Sequence, residues 1–156
     1  MSATPALDEH VFVVGLPPHI VAGLTPLAVR REFSPRTVIF REGADCDDLY
    51  LIESGRVALD LLVPGRGPVR ILTIGPGELL GWSALFGEGP MTATATALEP
   101  TAAYALSGSK LRSFCDKNHE AGYRIMKQVS LSLSQRLTAT RLQLLDLFAE
   151  PSRRPS

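Results

Sequence analysis

The stretch Ile74-Gly75-Pro76-Gly77-Glu78-Leu79-Leu80-Gly81-Trp82-Ser83-Ala84-Leu85-Phe86, with Thr92-Ala93-Thr94-Ala95-Thr96-Ala97 shortly after it, decides the fold. A glycine–proline turn leads into a short apolar run, and a second glycine opens what reads as one helical turn. A Thr/Ala alternation with period two then marks a half-buried strand.

The same grammar extends outward from Leu27 to Leu106. Arg36–Phe40, Leu49–Ile52, Arg56–Val63, Val69–Ile74, Met91–Leu98 and Thr101–Leu106 read as strands. Gly43, Ser54-Gly55, Pro64-Gly65-Arg66-Gly67-Pro68 and Glu99-Pro100 supply the turns between them. At least six short strands predict an antiparallel sandwich or barrel. Beyond Leu106 the period becomes helical: Ser107 or Ser109 caps a short helix to about residue 116, and Asn118 caps a long one over about 119–148.

On the long helix Met126, Ser130, Leu133, Leu137, Thr140, Leu144 and Leu147 recur at spacings of four and three, a heptad seam. A second stripe, Ile125, Val129, Leu142 and Leu145, points elsewhere. Two apolar faces need two surfaces, so one is expected on the barrel and the other on a partner helix; the alternative is a single wide core face. The domain organisation expected is an N-terminal segment 1–15, a domain over 16–149, and a polar tail 150–156.

The chain has 156 residues, and its 16 Lys+Arg balance 16 Asp+Glu, which suits one globular domain and argues against a nonspecific grip on nucleic acid. Cys46 and Cys115 form no metal or redox spacing and read as reduced thiols. Val11–Leu16 is too short for a signal segment, and no run approaches the roughly 18–20 apolar residues of a membrane span. A cytoplasmic protein without membrane association is expected.

Val38-Ile39-Phe40-Arg41-Glu42-Gly43, Leu49-Tyr50-Leu51-Ile52 with Gly55-Arg56-Val57, Gly77-Glu78-Leu79-Leu80-Gly81, and the long helix after the β region resemble the cyclic-nucleotide-binding domain of bacterial regulators of the catabolite activator type. The resemblance runs from about Leu16 to Phe148. It implies a mainly β fold with a C-terminal α region. The β part would be a β-roll, a double-stranded β-helix of the jelly-roll or cupin-like kind, over about 27–106. A short helix and a long dimerisation helix would follow, making a homodimer through 119–148.

In that family a cassette of one helical turn holds the cyclic phosphate. Glycine lets the backbone approach, helix-start N–H groups bind the anion, an arginine neutralises it, and a glutamate accepts from the ribose hydroxyl. Aligned on Gly81 and Leu85-Phe86, the glutamate position holds Trp82 and the arginine position holds Thr92. A charge-assisted bond of about 1.5–3 kcal/mol is thereby missing, which implies about tenfold to a hundredfold weaker binding.

The ligand-binding candidates are Gly81, Trp82, Ser83 and Ala84 as an anion nest with an indole at its mouth, and Thr92, Ala93 and Thr94 on the next strand. On the long helix they are Thr140, at the family's purine-facing position, and Arg141, either a replacement cation or a solvated surface residue. The ligand classes are a cyclic nucleotide or another small anionic or aromatic molecule. Trp82 either receives such a guest or fills the pocket.

No other chemistry is expected. His10, His19 and His119 lie outside the strands, so a cupin-like metal site has no ligands, and the acidic loop Glu42, Asp45, Asp47, Asp48 lacks calcium spacing. No nucleophile–base motif points to an enzyme. The basic residues of the helices, from Lys110 to Arg141, read as ordinary surface rather than a DNA-reading face. Three functions remain: a stand-alone sensor with weak or altered ligand specificity that signals through its dimer helix or a protein partner, a ligand-free interaction module, and a transcription-regulator subunit without its own DNA-binding domain.

Overall fold

The computed structural model describes residue 7, residues 10–87 and residues 89–149. Two short helices, α1 (Val11–Val14) and α2 (Pro18–Leu24), lead through a 3-10 turn (Thr25–Leu27) into the β region. There follow β1 (Ala28–Phe33), β2 (Val38–Phe40), β3 (Asp48–Ser54), β4 (Val57–Val63), β5 (Gly67–Ile74), β6 (Leu79–Leu80), α3 (Ser83–Phe86), β7 (Thr94–Ala97) and β8 (Thr101–Ser107). The chain then turns into α4 (Gly108–Lys117) and α5 (His119–Ala149). The fold is the mainly β roll with C-terminal helices that the sequence predicts.

Two antiparallel four-stranded sheets form among the described residues, ordered β1-β8-β3-β6 and β2-β7-β4-β5. Successive side chains of a strand point to opposite faces, and β3 buries both. Tyr50 and Ile52 join Leu80, Ala103 and Ala105 between the sheets, whereas Leu49 and Leu51 join Leu79, Tyr104 and Leu106 beneath the helices. That two-sided burial is why β3 and β8 read as continuous apolar runs rather than alternating ones.

The helix-side core begins before residue 16. Leu7, Phe12 and Val13 are buried in it, and His10 caps α1, its Nδ1 accepting from the Phe12 N–H at 3.1 Å while Nε2–H donates to the Ile52 carbonyl at 2.8 Å. Burial lowers the His10 pKa, since an imidazolium loses hydration there, although the Ile52 carbonyl and Glu53 oppose the shift.

On α5 the second stripe divides. Ile125 and Val129 are 1% and 2% exposed against the roll, but Leu142 and Leu145 are 58% and 62% exposed. Thirteen residues separate Val129 from Leu142, which at 100° per residue leaves them about 220° apart around the helix. The roll-facing stripe instead runs Ala121, Ile125, Val129, Leu133, Arg136, Thr140, all buried or half-buried. Met126, Ser130, Leu137 and Leu144 of the seam are exposed, and Leu133 packs on the helix-side core. The Leu147 side chain and the tail 150–156 lie outside the described residues. No helix among the described residues is long and apolar enough to cross a membrane.

Candidate functional site

The site is built where β6 ends. Gly81 has φ +81°, and a Cβ there would stand 3.1 Å from the Asp48 carbonyl oxygen, so only glycine lets the chain pass this close to β3 before turning into α3. Trp82 precedes α3 in helical conformation, and its indole meets the Phe86 ring edge-on, centroids 5.9 Å apart. The Ala84 N–H donates to the Gly81 carbonyl at 3.1 Å and the Leu85 N–H to the Trp82 carbonyl at 3.0 Å. Gly87, with φ +71°, ends the turn by donating its N–H to the Ser83 carbonyl.

A cavity of about 20 Å³ opens between this turn and the segment leading into β7, lined in part by Gly81, Trp82, Ser83, Thr92, Ala93 and Arg136; Thr92 and Ala93, expected on the strand, precede it. That is room for about one water, far below the roughly 300 Å³ at which ligand pockets start. Its remaining walls are Phe40, Leu59, Leu80 and Met91. Inside it the Ser83 hydroxyl donates to Met91 Sδ at 3.0 Å.

The structure thus brings five of the nine sequence candidates around one cavity, Gly81, Trp82, Ser83, Thr92 and Ala93, and sets four apart. Ala84 is buried in the helix-side core and its N–H is already used within the turn. Thr94 Oγ1 accepts from the Glu42 N–H at 2.9 Å, tying β7 to the loop after β2. Thr140 is half-buried and donates its hydroxyl to the Arg136 carbonyl at 2.9 Å, and Arg141 is exposed.

Sequence reasoning missed Arg136. Arg136 lines the cavity, and its guanidinium donates to the Leu79 carbonyl. Burial lowers its pKa, partly offset by the negative charge of Glu78. The signal lay in the stripe Ala121, Ile125, Val129, Leu133, Arg136, Thr140, where one cation interrupts apolar and small residues on the face that meets the roll.

The acidic loop serves the fold. Asp47 accepts from the Ser107 hydroxyl at 2.8 Å and the Ser109 hydroxyl at 3.0 Å, and the Ser107 bond chiefly holds its carboxyl below the usual range. Glu42 accepts from the Leu62 N–H at 2.9 Å, and Asp48 faces Arg31 at 3.9 Å.

A two-sheet roll, a glycine-opened helical turn between β6 and β7, and a long helix whose Arg136 lines the cavity beside that turn are the architecture of a cyclic nucleotide-binding regulatory domain. Residues 30–118 match the cyclic nucleotide-binding domain family, and the chain belongs to it. The CRP-like cAMP-activated global transcriptional regulator of Mycobacterium tuberculosis is 33% identical over 135 residues, covering 86% of this chain and 58% of that protein. The chain therefore spans little more than half the length of that relative. The crystal structure of the Thermus thermophilus catabolite activator protein superimposes with a TM-score of 0.70 at 29% identity, over 89% of this chain and 63% of that one. A putative cyclic nucleotide-binding protein from Geobacter metallireducens shares the fold, with a TM-score of 0.76 at 24% identity over 88% of this chain and 99% of its own.

Proposed function

We propose that this domain is a sensor with altered ligand specificity, binding a small anionic or nucleotide-like molecule weakly and signalling through α5 as a dimer helix. The observation that carries the reading is the cavity shared by the α3 turn and Arg136 of α5: it must widen to admit a ligand, and a ligand admitted there would meet both the cassette and the helix. The Mycobacterium relative is described as cAMP-activated. Here the glutamate and arginine positions of the family cassette are Trp82 and Thr92, so cyclic AMP is expected to bind weakly. The role is one of binding and regulation rather than catalysis.

Thermal-shift and calorimetric titration with cyclic AMP, cyclic GMP, 5′-AMP and phosphate tests the reading. Stabilisation at millimolar concentrations is expected. No response to any of them overturns it, and tight stoichiometric capture of cyclic AMP overturns the altered specificity. A second reading, a ligand-free interaction module, is favoured by the size of the cavity, about 20 Å³ with Trp82 among its lining residues; it predicts silence in every titration.

A further inference from the structure

His10 is buried, and backbone engages both nitrogens of its ring. The Phe12 N–H can only donate and the Ile52 carbonyl can only accept, so the two partners fix the ring as neutral, with its proton on Nε2. A proton added to Nδ1 meets the Phe12 N–H donor against donor, and puts a charge where burial has removed its hydration. From β3 the ring faces Glu53, whose carboxylate attracts an imidazolium. That carboxylate is already engaged by Arg30 of β1 at 2.9 Å, which also reaches Glu32, and the Tyr104 hydroxyl of β8 further supports its charge. Ile125 and Val129, which α5 contributes to the same core, carry no charge. Asp8 and Glu9, beside His10 in sequence, lie outside the described residues.

The two sides of the His10 contact are unequally held. Ile52 is fully buried; its N–H donates to the Glu78 carbonyl at 3.0 Å, and its carbonyl also accepts from the Gly77 N–H at 2.8 Å. The turn before β6 therefore fixes this part of β3 with or without His10. α1 has four residues, too few to stand as an isolated helix, so its place depends on the His10 cap and on burying Phe12 and Val13. The packing beneath it is incomplete: a void of about 10 Å³ has Phe12 and Val13 together with Ile125 and Val129 of α5 in its lining.

We propose that α1 is an acid-released clasp: neutral His10 pins it to β3 and against the inner stretch of α5, and a proton on Nδ1 frees it, so that α5 loses cover at Ile125 and Val129. Burial lowers the His10 pKa, so the clasp is closed above pH 6.5 and opens as pH falls toward the lowered native value. The His19–Glu120 contact, 3.2 Å between α2 and α5 on the surface, runs the other way. A proton on His19 strengthens it by the small amount an exposed pair gives, and α2 keeps Ile20 and Leu24 buried while α1 opens. The clasp holds whether or not the cavity beside α3 takes a ligand.

Amide hydrogen exchange of the full chain from pH 7.5 to pH 5, expressed as protection relative to intrinsic rates, tests this beside a nitrogen-15 titration of the His10 ring. The variants are His10→Asn, whose Oδ1 can cap Phe12 without titrating, and His19→Gln. Circular dichroism at pH 7.5 verifies their folding. The expected ring is the Nε2–H tautomer at pH 7.5. Protection at Phe12 and Val13 should fall by up to about tenfold per pH unit below 6.5, with a smaller fall at Ile125 and Val129, and should track the ring's own titration. His10→Asn should be flat over that window, and His19→Gln should respond like the wild type. An Nδ1–H tautomer, protection at Phe12 that stays constant while the ring titrates, or an equal response in His10→Asn overturns the proposal. Loss of protection across β3 and β8 at the same pH also overturns it, because the whole roll and not the clasp has then opened. If His10→Asn does not fold, the coincidence of ring and amide titrations in the wild type decides.

Discussion

Two residues carry local tension that solution measurements can read. Arg36 is exposed and has φ +70°, in a turn closed by the Thr37 N–H on the Ser34 carbonyl at 3.2 Å. A side-chain-bearing residue pays a penalty in this left-handed region that glycine avoids, while glycine adds disorder to the unfolded chain. Arg36→Gly should therefore raise stability by up to about 1 kcal/mol in urea denaturation, and a loss would contradict the turn geometry. His10 carries a pH dependence of known sign. Its native pKa is lowered by burial, so below pH 6.5 the unfolded chain takes up a proton that the native chain resists. Its contribution is fully present above pH 6.5 and is lost as pH falls toward the lowered native value; protonating Nδ1 also ends the cap on Phe12. Denaturation midpoints should drop over that window in the wild type, and the His10-dependent part of the drop should vanish in His10→Gln. Neither feature was legible from sequence, because a positive φ at arginine has no compositional mark and the partners of His10 are set by a carbonyl 42 residues away.

At the scale of elements, the cassette turn is locked to α4 by backbone contact. A Cβ on Gly108 would fall 2.1 Å from the Ala84 carbonyl oxygen, and Arg112 Nη1 donates to that same carbonyl at 2.6 Å. Gly108→Ala must push α3 and α4 apart, costing about 1–3 kcal/mol. Arg112→Ala removes a charge-assisted bond on a half-buried carbonyl and should cost about 1–2 kcal/mol. Because both act on one contact, the double variant should cost clearly less than the two single losses combined, and additive losses would contradict a shared lock. The strands with buried faces, β3, β4, β7 and β8, were legible, as were α4 and α5 with their serine and asparagine caps. β1 was not, because Ala28-Val29-Arg30-Arg31-Glu32-Phe33 is an edge strand exposed over four of six residues and held by pairing with β8. β6, two residues long, has too little sequence to show any period. For the cassette, order and spacing placed Gly81, Trp82 and Ser83 correctly around one cavity, whereas the helix residue reaching that cavity depends on the angle at which α5 crosses the roll.

For the molecule as a whole, α5 separates two kinds of stability. Its inner stretch buries Ala121, Ile125 and Val129 in the helix-side core, and its outer stretch leaves Leu131, Leu137, Leu142, Leu144 and Leu145 at least half exposed. The reading of α5 as a dimer helix places these exposed apolar side chains against a second copy of the helix. Truncating Ile125→Ala leaves a cavity in the protomer's own core and should cost about 2–5 kcal/mol whatever the protein concentration. Leu137→Glu with Leu144→Glu should leave the roll folded but shift sedimentation from a dimer toward the 16.8 kDa protomer. A dimer's melting temperature rises with concentration by mass action, so that rise should be present in the wild type and absent in the charged variant. If the wild type sediments as a protomer at high micromolar concentration, the exposed leucines need another partner and α5 cannot transmit a cassette signal between two copies. If it dimerises and the charged variant does too, the interface lies elsewhere on the roll, and α5 has no second helix to move against.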